Sequence, residues 1–482
     1  MKRQILSLIT IVFLFTSCGE NFLETFPSNA ISSEIAISNT NDLKNAVNGM
    51  YDLLSSYGYY GGTAFYYGDV KGDDIQSRAQ TGRDSYKCYM YSHAANNMGA
   101  GYLWGRPWYT IRQACNIIEA IDNEKIKDGT ETQINDYKGQ AIAIRAMVHF
   151  DLVKYFGYPY AKDNGASLGV PIVDHVLKLD ENPNRSTVAQ CYEFITKKLE
   201  TAIPLISTEK NNGRINRYAA RALLARAYLY CGKNKEAFET AQELIEEIKN
   251  NGQYRLHTNS EYISSWDLEH KFNNESLFEI ANLSDDNEGK NSLAYYYHWW
   301  GYAEFIATTS FVNELLSDPD DVRCDLLQKR TQNNTDKWWL RKYPGTANNV
   351  PSYENNYIVL RLSEVYLIAA EAATKLGGTY TTQGLEYLND IVSRANPAKS
   401  VSTSEFNLDR VLLERRKELV GEGHRFFDLL RNGKTIVRKG GLHLPNAPEE
   451  IDWNYERCVL PIPVAQFKLR PDMEQNPGYA RE

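Results

Sequence analysis

Between Tyr218 and Ile248 the chain spaces Ala225, Tyr228, Gly232, Ala237, Ala241 and Leu244 so that small and aromatic residues fall on the facing sides of two consecutive helices. Small residues there let antiparallel helices approach closely, and Gly232 marks the turn between them. A strand period of two would scatter the same residues over both faces, so this spacing commits the chain to helix-on-helix packing. The pattern recurs less regularly from Leu360 to Ala395, where Tyr366, Ala369, Ala370 and Ala373 precede the Gly377-Gly378 break and Leu385, Leu388 and Ile391 carry a second helix. Earlier, Leu43, Val47, Met50, Tyr51 and Leu54 share one helical face, with Thr40 or Asn41 available as N-cap. Trp108, Ile111, Ala114, Cys115, Ile118 and Ile121 repeat that period. So does the stretch from Tyr137 to Phe156, which ends at Gly157. The expected fold is all-α: degenerate tetratricopeptide-like helix pairs over residues 41–56, 105–157, 187–250 and 357–396, with few short strands.

Residues 255–350 break this pattern. The helical period is lost, and Asn, Asp, Gly and aromatics accumulate, including Tyr295-Tyr296-Tyr297-His298-Trp299-Trp300 and Trp338-Trp339. A second such stretch, Tyr57-Gly58-Tyr59-Tyr60-Gly61-Gly62 with Tyr66-Tyr67, directly follows the first helix. Long irregular excursions from a helical scaffold are where binding residues concentrate. The 33 Tyr and 8 Trp of the chain supply flat apolar faces with polar tips, suited to stacking on a ligand, although most must serve the core.

The N-terminus carries an address. Lys2 and Arg3 precede an apolar run from Ile5 to Phe15, then Thr16, Ser17 and Cys18. That run is too short to span a bilayer and has the layout of a signal peptide over residues 1–17. A small pair before a cysteine is similar to a bacterial lipobox, in which Cys18 receives a lipid and becomes the first mature residue; the alternative is an ordinary cleavage site. No later apolar run reaches the roughly twenty residues of a membrane helix. A net charge of −8, with no basic run interleaved with aromatics, argues against nucleic acid. The other six cysteines show no C-x-x-C and no framework spacing, so neither a zinc site nor a disulfide scaffold is expected.

Several segments, taken in order, resemble the SusD/RagB-like outer-membrane lipoproteins that Bacteroidetes use to capture nutrients. They begin with Cys18, Phe22-Leu23-Glu24 and Pro27, and continue through Gly139-Gln140-Ala141, Arg145-Ala146 and Tyr155-Phe156-Gly157. Asn274 to Ile280 and Arg361 to Leu367 with Ala370-Glu371-Ala372 follow. The strongest piece is Glu414-Arg415-Arg416-Lys417-Glu418-Leu419, Gly421-Glu422-Gly423-His424-Arg425 and Phe427 to Arg431, before the closing Leu460-Pro461-Ile462-Pro463 and Gln475 to Tyr479. The resemblance implies one domain over 18–482: a lipidated tether over 18–40, a ligand-binding insert near 255–350 and a C-terminal signature region over 405–482. It also implies binding rather than turnover, with the protein facing outward from the outer membrane and passing oligosaccharide, or in some members peptide, to a SusC-like TonB-dependent transporter.

The resemblance places the glycan surface on the two aromatic stretches. The stacking candidates are therefore Tyr60, Tyr66, Tyr67, Tyr296, Trp299, Trp300, Trp338 and Trp339, with Arg78, Arg83 and Asn97 as polar partners. Trp104, Trp108, Tyr228 and Tyr366 read as core. No catalytic residue, cofactor or metal is assigned: the G-x-S-x-G, P-loop and H-E-x-x-H signatures are absent. Asp73-Asp74, Asp285-Asp286 and Asp320-Asp321 lack the full pattern of a calcium loop or a glycosidase pair, and read as loop capping and solvation. Glu414, Arg415 and Glu418 fall on helical pairing distances, so the C-terminal signature reads as ion pairs holding the end of the chain. A peptide-capturing member of the same family, a glycan-degrading enzyme and a scaffold that only organises partners stay as alternatives.

Overall fold

The computed structural model describes residues 36–97, 101–344 and 353–481; Cys18 and most of the tether lie outside them. Its helices include α1 (Thr40–Ser55), α2 (Thr63–Val70), α3 (Tyr102–Asp122), α4 (Glu131–Phe156), α5 (Val188–Ala202), α6 (Arg217–Tyr230), α7 (Asn234–Asn251), α8 (Leu362–Leu376), α9 (Tyr380–Ala395), α10 (Leu408–Glu418) and α11 (Arg425–Arg431). The strands are β1 (Ile75–Ser77), β2 (Ser276–Ile280), β3 (Phe305–Ala307), β4 (Leu327–Gln332), β5 (Thr335–Leu340), β6 (Tyr357–Arg361), β7 (Ile436–Val437) and β8 (Glu450–Ile451).

The helices stack in sequence. α1 packs on α3, α3 on α4, α4 on α5, α5 on α6, α6 on α7, α7 on α8 and α8 on α9. Their ends carry expected chemistry. Thr130 caps α4, Thr187 and Gln190 form a capping box on α5, and Asn216 caps α6. The cap of α1 is Asn39, just before the expected Thr40 or Asn41; its side chain accepts from the Asp42 N–H. Gly157 ends α4 with φ −109°, so its need is for space: a Cβ would lie 2.9 Å from both Val153 O and Val188 Cγ2. Gly232, by contrast, turns α6 into α7 at φ +74°, which favours glycine.

Small residues make the α8–α9 contact close, since a Cβ on Gly384 would come within 2.2 Å of Ala373 Cβ. One continuous core, from Ile37 to Met473, runs through the stack and takes in Cys115, Tyr228 and Tyr366. The six described cysteines are free thiols.

The irregular insert leaves the stack after α7 and returns at α8. At its neck, β2 and β6 pair antiparallel, Ser276 opposite Arg361 and Ile280 opposite Tyr357. Farther out, a four-stranded sheet runs β1-β3-β5-β4, joining the segment after α2 to the insert. β4 and β5 form a hairpin with Gln332 opposite Thr335; Asn333 and Asn334 take positive φ of 50° and 60°, as a two-residue loop requires.

Candidate functional site

β3 fixes the end of the aromatic run. A short helix, Leu293–Tyr297, is followed by a turn in which Tyr302 N–H donates to Tyr295 O at 2.7 Å and Trp300 N–H to His298 Nδ1 at 3.2 Å. Gly301 is obligatory there, because a Cβ would sit 2.3 Å from Tyr295 O. Ala303 completes the turn at φ +45°. The turn pushes Trp299 and Trp300 outward: Trp300 is 61% exposed, Trp299 is half-buried, and their ring centroids are 3.9 Å apart. The Arg330 guanidinium, from β4, lies over the Trp299 ring.

Around this pair the structure gathers other partly exposed rings. Tyr295 stacks on Tyr353 at 5.3 Å and meets Tyr302 edge-on at 5.5 Å. Tyr57 stacks near Tyr296, and the half-exposed Tyr102, at the start of α3, packs edge-on to it. Arg83 covers the Tyr302 ring at 4.3 Å, and Arg78 donates to Tyr302 O at 2.8 Å. The turn thus carries the indole pair with Tyr295 and Tyr302, and Arg78, Arg83 and Tyr353 reach its tyrosines from other segments.

Five of the stacking candidates are corrected to core. Every residue of α2 is buried: Tyr66 packs under Tyr296, and Tyr67 lies between Tyr155 and Phe427. Tyr60 donates to Asp151 at 2.6 Å from inside the same core. Tyr296 and Trp339 are also buried, at 6% and 2% exposure: Tyr296 is stacked among Tyr57, Tyr66 and Phe305, and Trp339 stands in the buried C-terminal end of β5. Trp338 remains half-buried on the other face of the hairpin from Trp339, with Lys329 over its ring. Asn97 is exposed and accepts from Lys87 Nζ at 2.8 Å.

Tyr57, Tyr102, Tyr295, Tyr302, Tyr353 and Arg330 were not among the candidates. Tyr57 and Tyr295 stood inside the flagged aromatic stretches, whereas Tyr102 lies before the helix expected from residue 105 and starts it three residues earlier. Arg330 becomes visible only once the Asn333-Asn334 turn sets the register of the hairpin.

The C-terminal signature builds something different. Arg361 contacts Glu275 at 2.8 Å, Glu418 at 2.6 Å and Glu422 at 2.7 Å, all buried. Arg394 and Arg323 also reach Glu418, and Lys342 Nζ donates to its carbonyl at 2.7 Å. Arg415 holds Asp428 at 2.8 Å, while Arg431 joins Asp428 to Glu371. Burial alone would push Glu418 up; Arg394, Arg361 and Arg323 outweigh it and hold the carboxyl well below the usual range. Glu422 and Asp428 are shifted down against burial in the same way. His424 is pushed down to about 4, chiefly by burial. Asp73 and Asp74 belong to this system rather than to a solvated loop: Arg425 grips Asp73 at 2.7 and 3.0 Å, and Arg416 holds Asp74 at 2.7 Å.

A cavity of about 530 Å³ opens elsewhere, between the first half of α3, residues 171–183 and the segment around Leu469. Trp104 and Trp108 border it, Trp104 still almost fully buried. Leu177, Leu179 and Leu469 stand exposed at its rim.

The profile of the SusD family matches residues 207–479, and a second profile, described as starch-binding associating with outer membrane, matches residues 21–229. The chain belongs to the SusD family. A SusD superfamily protein from Bacteroides vulgatus, known from its crystal structure, is 53% identical; the match covers 92% of this chain and all of that one, with a TM-score of 0.91. Another SusD superfamily structure, from Bacteroides thetaiotaomicron, is 37% identical with a TM-score of 0.85, covering 91% of this chain and all of its own. Among curated relatives, SusD-like protein P2 of Formosa agariphila is 25% identical over 99% of this chain and 100% of its own length. Helix pairs with few short strands are thus the fold of this SusD-family chain. No helix among the described residues is long and apolar enough to cross a membrane.

Proposed function

We propose that this SusD-family protein is a cell-surface lipoprotein, anchored through Cys18 in the outer membrane, that binds oligosaccharide or polysaccharide and hands it to a SusC-like TonB-dependent transporter without altering it. The observation that carries this reading is the outward-facing Trp299–Trp300 pair, held by a turn that only glycine at 301 permits. An exposed indole against a second indole offers the flat apolar face on which the C–H side of a pyranose packs, and nearby guanidinium groups donate to hydroxyls. The profile described as starch-binding associating with outer membrane points the same way.

Non-catalytic action is supported by the state of the acids. Glu418, Glu422 and Asp428 are buried, cation-paired and shifted down, whereas a general acid at neutral pH needs a raised pKa and access to substrate. For the transporter partner, the exposed Leu177, Leu179 and Leu469 beside the large cavity supply apolar surface of the kind that marks protein contacts.

Substituting Trp299→Ala together with Trp300→Ala is expected to abolish binding on a glycan array while leaving the helical circular dichroism unchanged. Retained affinity in that variant would remove the site from the turn.

A further inference from the structure

The hairpin that carries Arg330 contains an arrangement that folding alone does not favour. In the β4–β5 register Arg330 stands directly opposite Lys337. Side chains so paired share one face of the sheet with Cβ atoms about 4.5–5.5 Å apart, and like charges in that position destabilise it. Their neighbours on the hairpin are relieved: Lys329 is paired with Asp336 at 2.6 Å. Among the described residues, neither Arg330 nor Lys337 has a carboxylate within ion-pair distance. Among the described residues the Lys337 ammonium reaches Gln332 Oε1 at 3.4 Å, and the Arg330 guanidinium lies over the Trp299 ring. Arg78, at the other side of the turn, is exposed, and among the described residues its guanidinium donates to Tyr302 O and has no carboxylate within ion-pair distance.

Unneutralised cations in a chain of net charge −8 gather where the aromatic surface is. The field reaches inward as well. His298, one residue before the indoles, is pushed down to about 4 by burial first and by Arg330 second, so it adds no charge of its own at neutral pH.

Building on the glycan-binding reading above, we propose that the face formed by Trp299, Trp300, Arg330 and Lys337 selects an anionic saccharide, one bearing carboxylate or sulfate-ester groups. The sugar ring lies against the indoles, and the negative group relieves the Arg330–Lys337 repulsion. A guanidinium can grip either oxyanion in a bidentate manner.

The test is calorimetry of the full-length chain in detergent with polygalacturonate, dextran sulfate and two neutral polymers, dextran and xyloglucan. The expected result is tighter binding to polygalacturonate or dextran sulfate than to either neutral polymer. That binding should weaken at least about tenfold when salt is raised from about 0.05 to 0.5 M, because exposed charges are screened. Arg330→Gln with Lys337→Gln should lose at least about tenfold on the anionic polymer with a melting temperature no lower than the parent's, and Trp299→Ala with Trp300→Ala should lose the binding too. Binding confined to neutral polymers, or anionic binding untouched by the Gln pair, overturns the anionic selection and leaves the glycan reading standing. Binding to none of the four overturns both.

Discussion

Asp69 accepts from Tyr297 OH at 2.6 Å and from the Gly423 N–H at 3.0 Å, and among the described residues no cation lies within ion-pair distance of it. Burial outweighs both hydrogen bonds and pushes its carboxyl up to about 7. Between the unfolded value near 3.8 and about 7 the native chain therefore holds a proton that the unfolded chain has released, so this residue's contribution falls as pH rises across that window. Asp69→Asn keeps the shape and, with its amide oxygen, the bond accepted from the Gly423 N–H, while its amide nitrogen donates to the Tyr297 hydroxyl oxygen instead of accepting from it. Its melting temperature is expected to exceed that of the parent near pH 8 and to converge with it near pH 4; a gap that widens toward low pH would contradict this. Arg425 has the opposite role. Arg425→Ala leaves Asp73 and Asp74 buried without that guanidinium, and is expected to cost about 3–5 kcal/mol in urea unfolding while ligand affinity is kept. Sequence shows such residues unevenly. Trp299-Trp300 was legible as an aromatic doublet in an irregular stretch. Tyr66 and Tyr67 were not, because α2 is buried on all sides and eight residues carry no periodicity that distinguishes a core helix from an exposed one.

Helices and hairpins were more legible than single contacts. The small-residue spacing over 218–248 and 360–395 located four helices of the stack, since Ala and Gly at facing positions are a packing requirement rather than a preference. Gly384 shows how tight that requirement is. Gly384→Leu must drive a branched side chain into Ala373 and Phe406, and is expected to lower stability by at least about 1–3 kcal/mol, read as a shifted urea midpoint with an unchanged slope. The strands of the insert were harder to see. β1 and β3 have three residues each and meet across more than two hundred positions of sequence, so no local pattern announces their pairing.

At the scale of the molecule, the end of the chain closes over its beginning. Lys71 Nζ donates to Cys458 O at 2.9 Å, Leu460 N–H to Tyr155 O at 2.9 Å, and Asn476 Nδ2 to both Phe156 O and Leu460 O. Arg185 reaches Glu474 O and Asn476 Oδ1, and Tyr479 OH sits 2.7 Å from His93 Nδ1. A chain ending at residue 456 is expected to lose cooperative thermal unfolding, because Lys71 and the end of α4 are then uncovered; a sharp transition within a few degrees of the parent would show the tail to be dispensable. The order of the C-terminal segments in the sequence announced a structured end, but not which helices it would seat. Cys18→Ala, in contrast, is expected to abolish metabolic lipid labelling with ligand affinity intact.

The tail also sets a timetable. Residues 458–479 are made hundreds of residues after several of their partners, which include Lys71, His93, Tyr155, Phe156 and Arg185. Until that segment emerges, the surfaces it covers around Lys71 and the end of α4 stay open on the growing chain, exposed for longer than the contacts between successive helices.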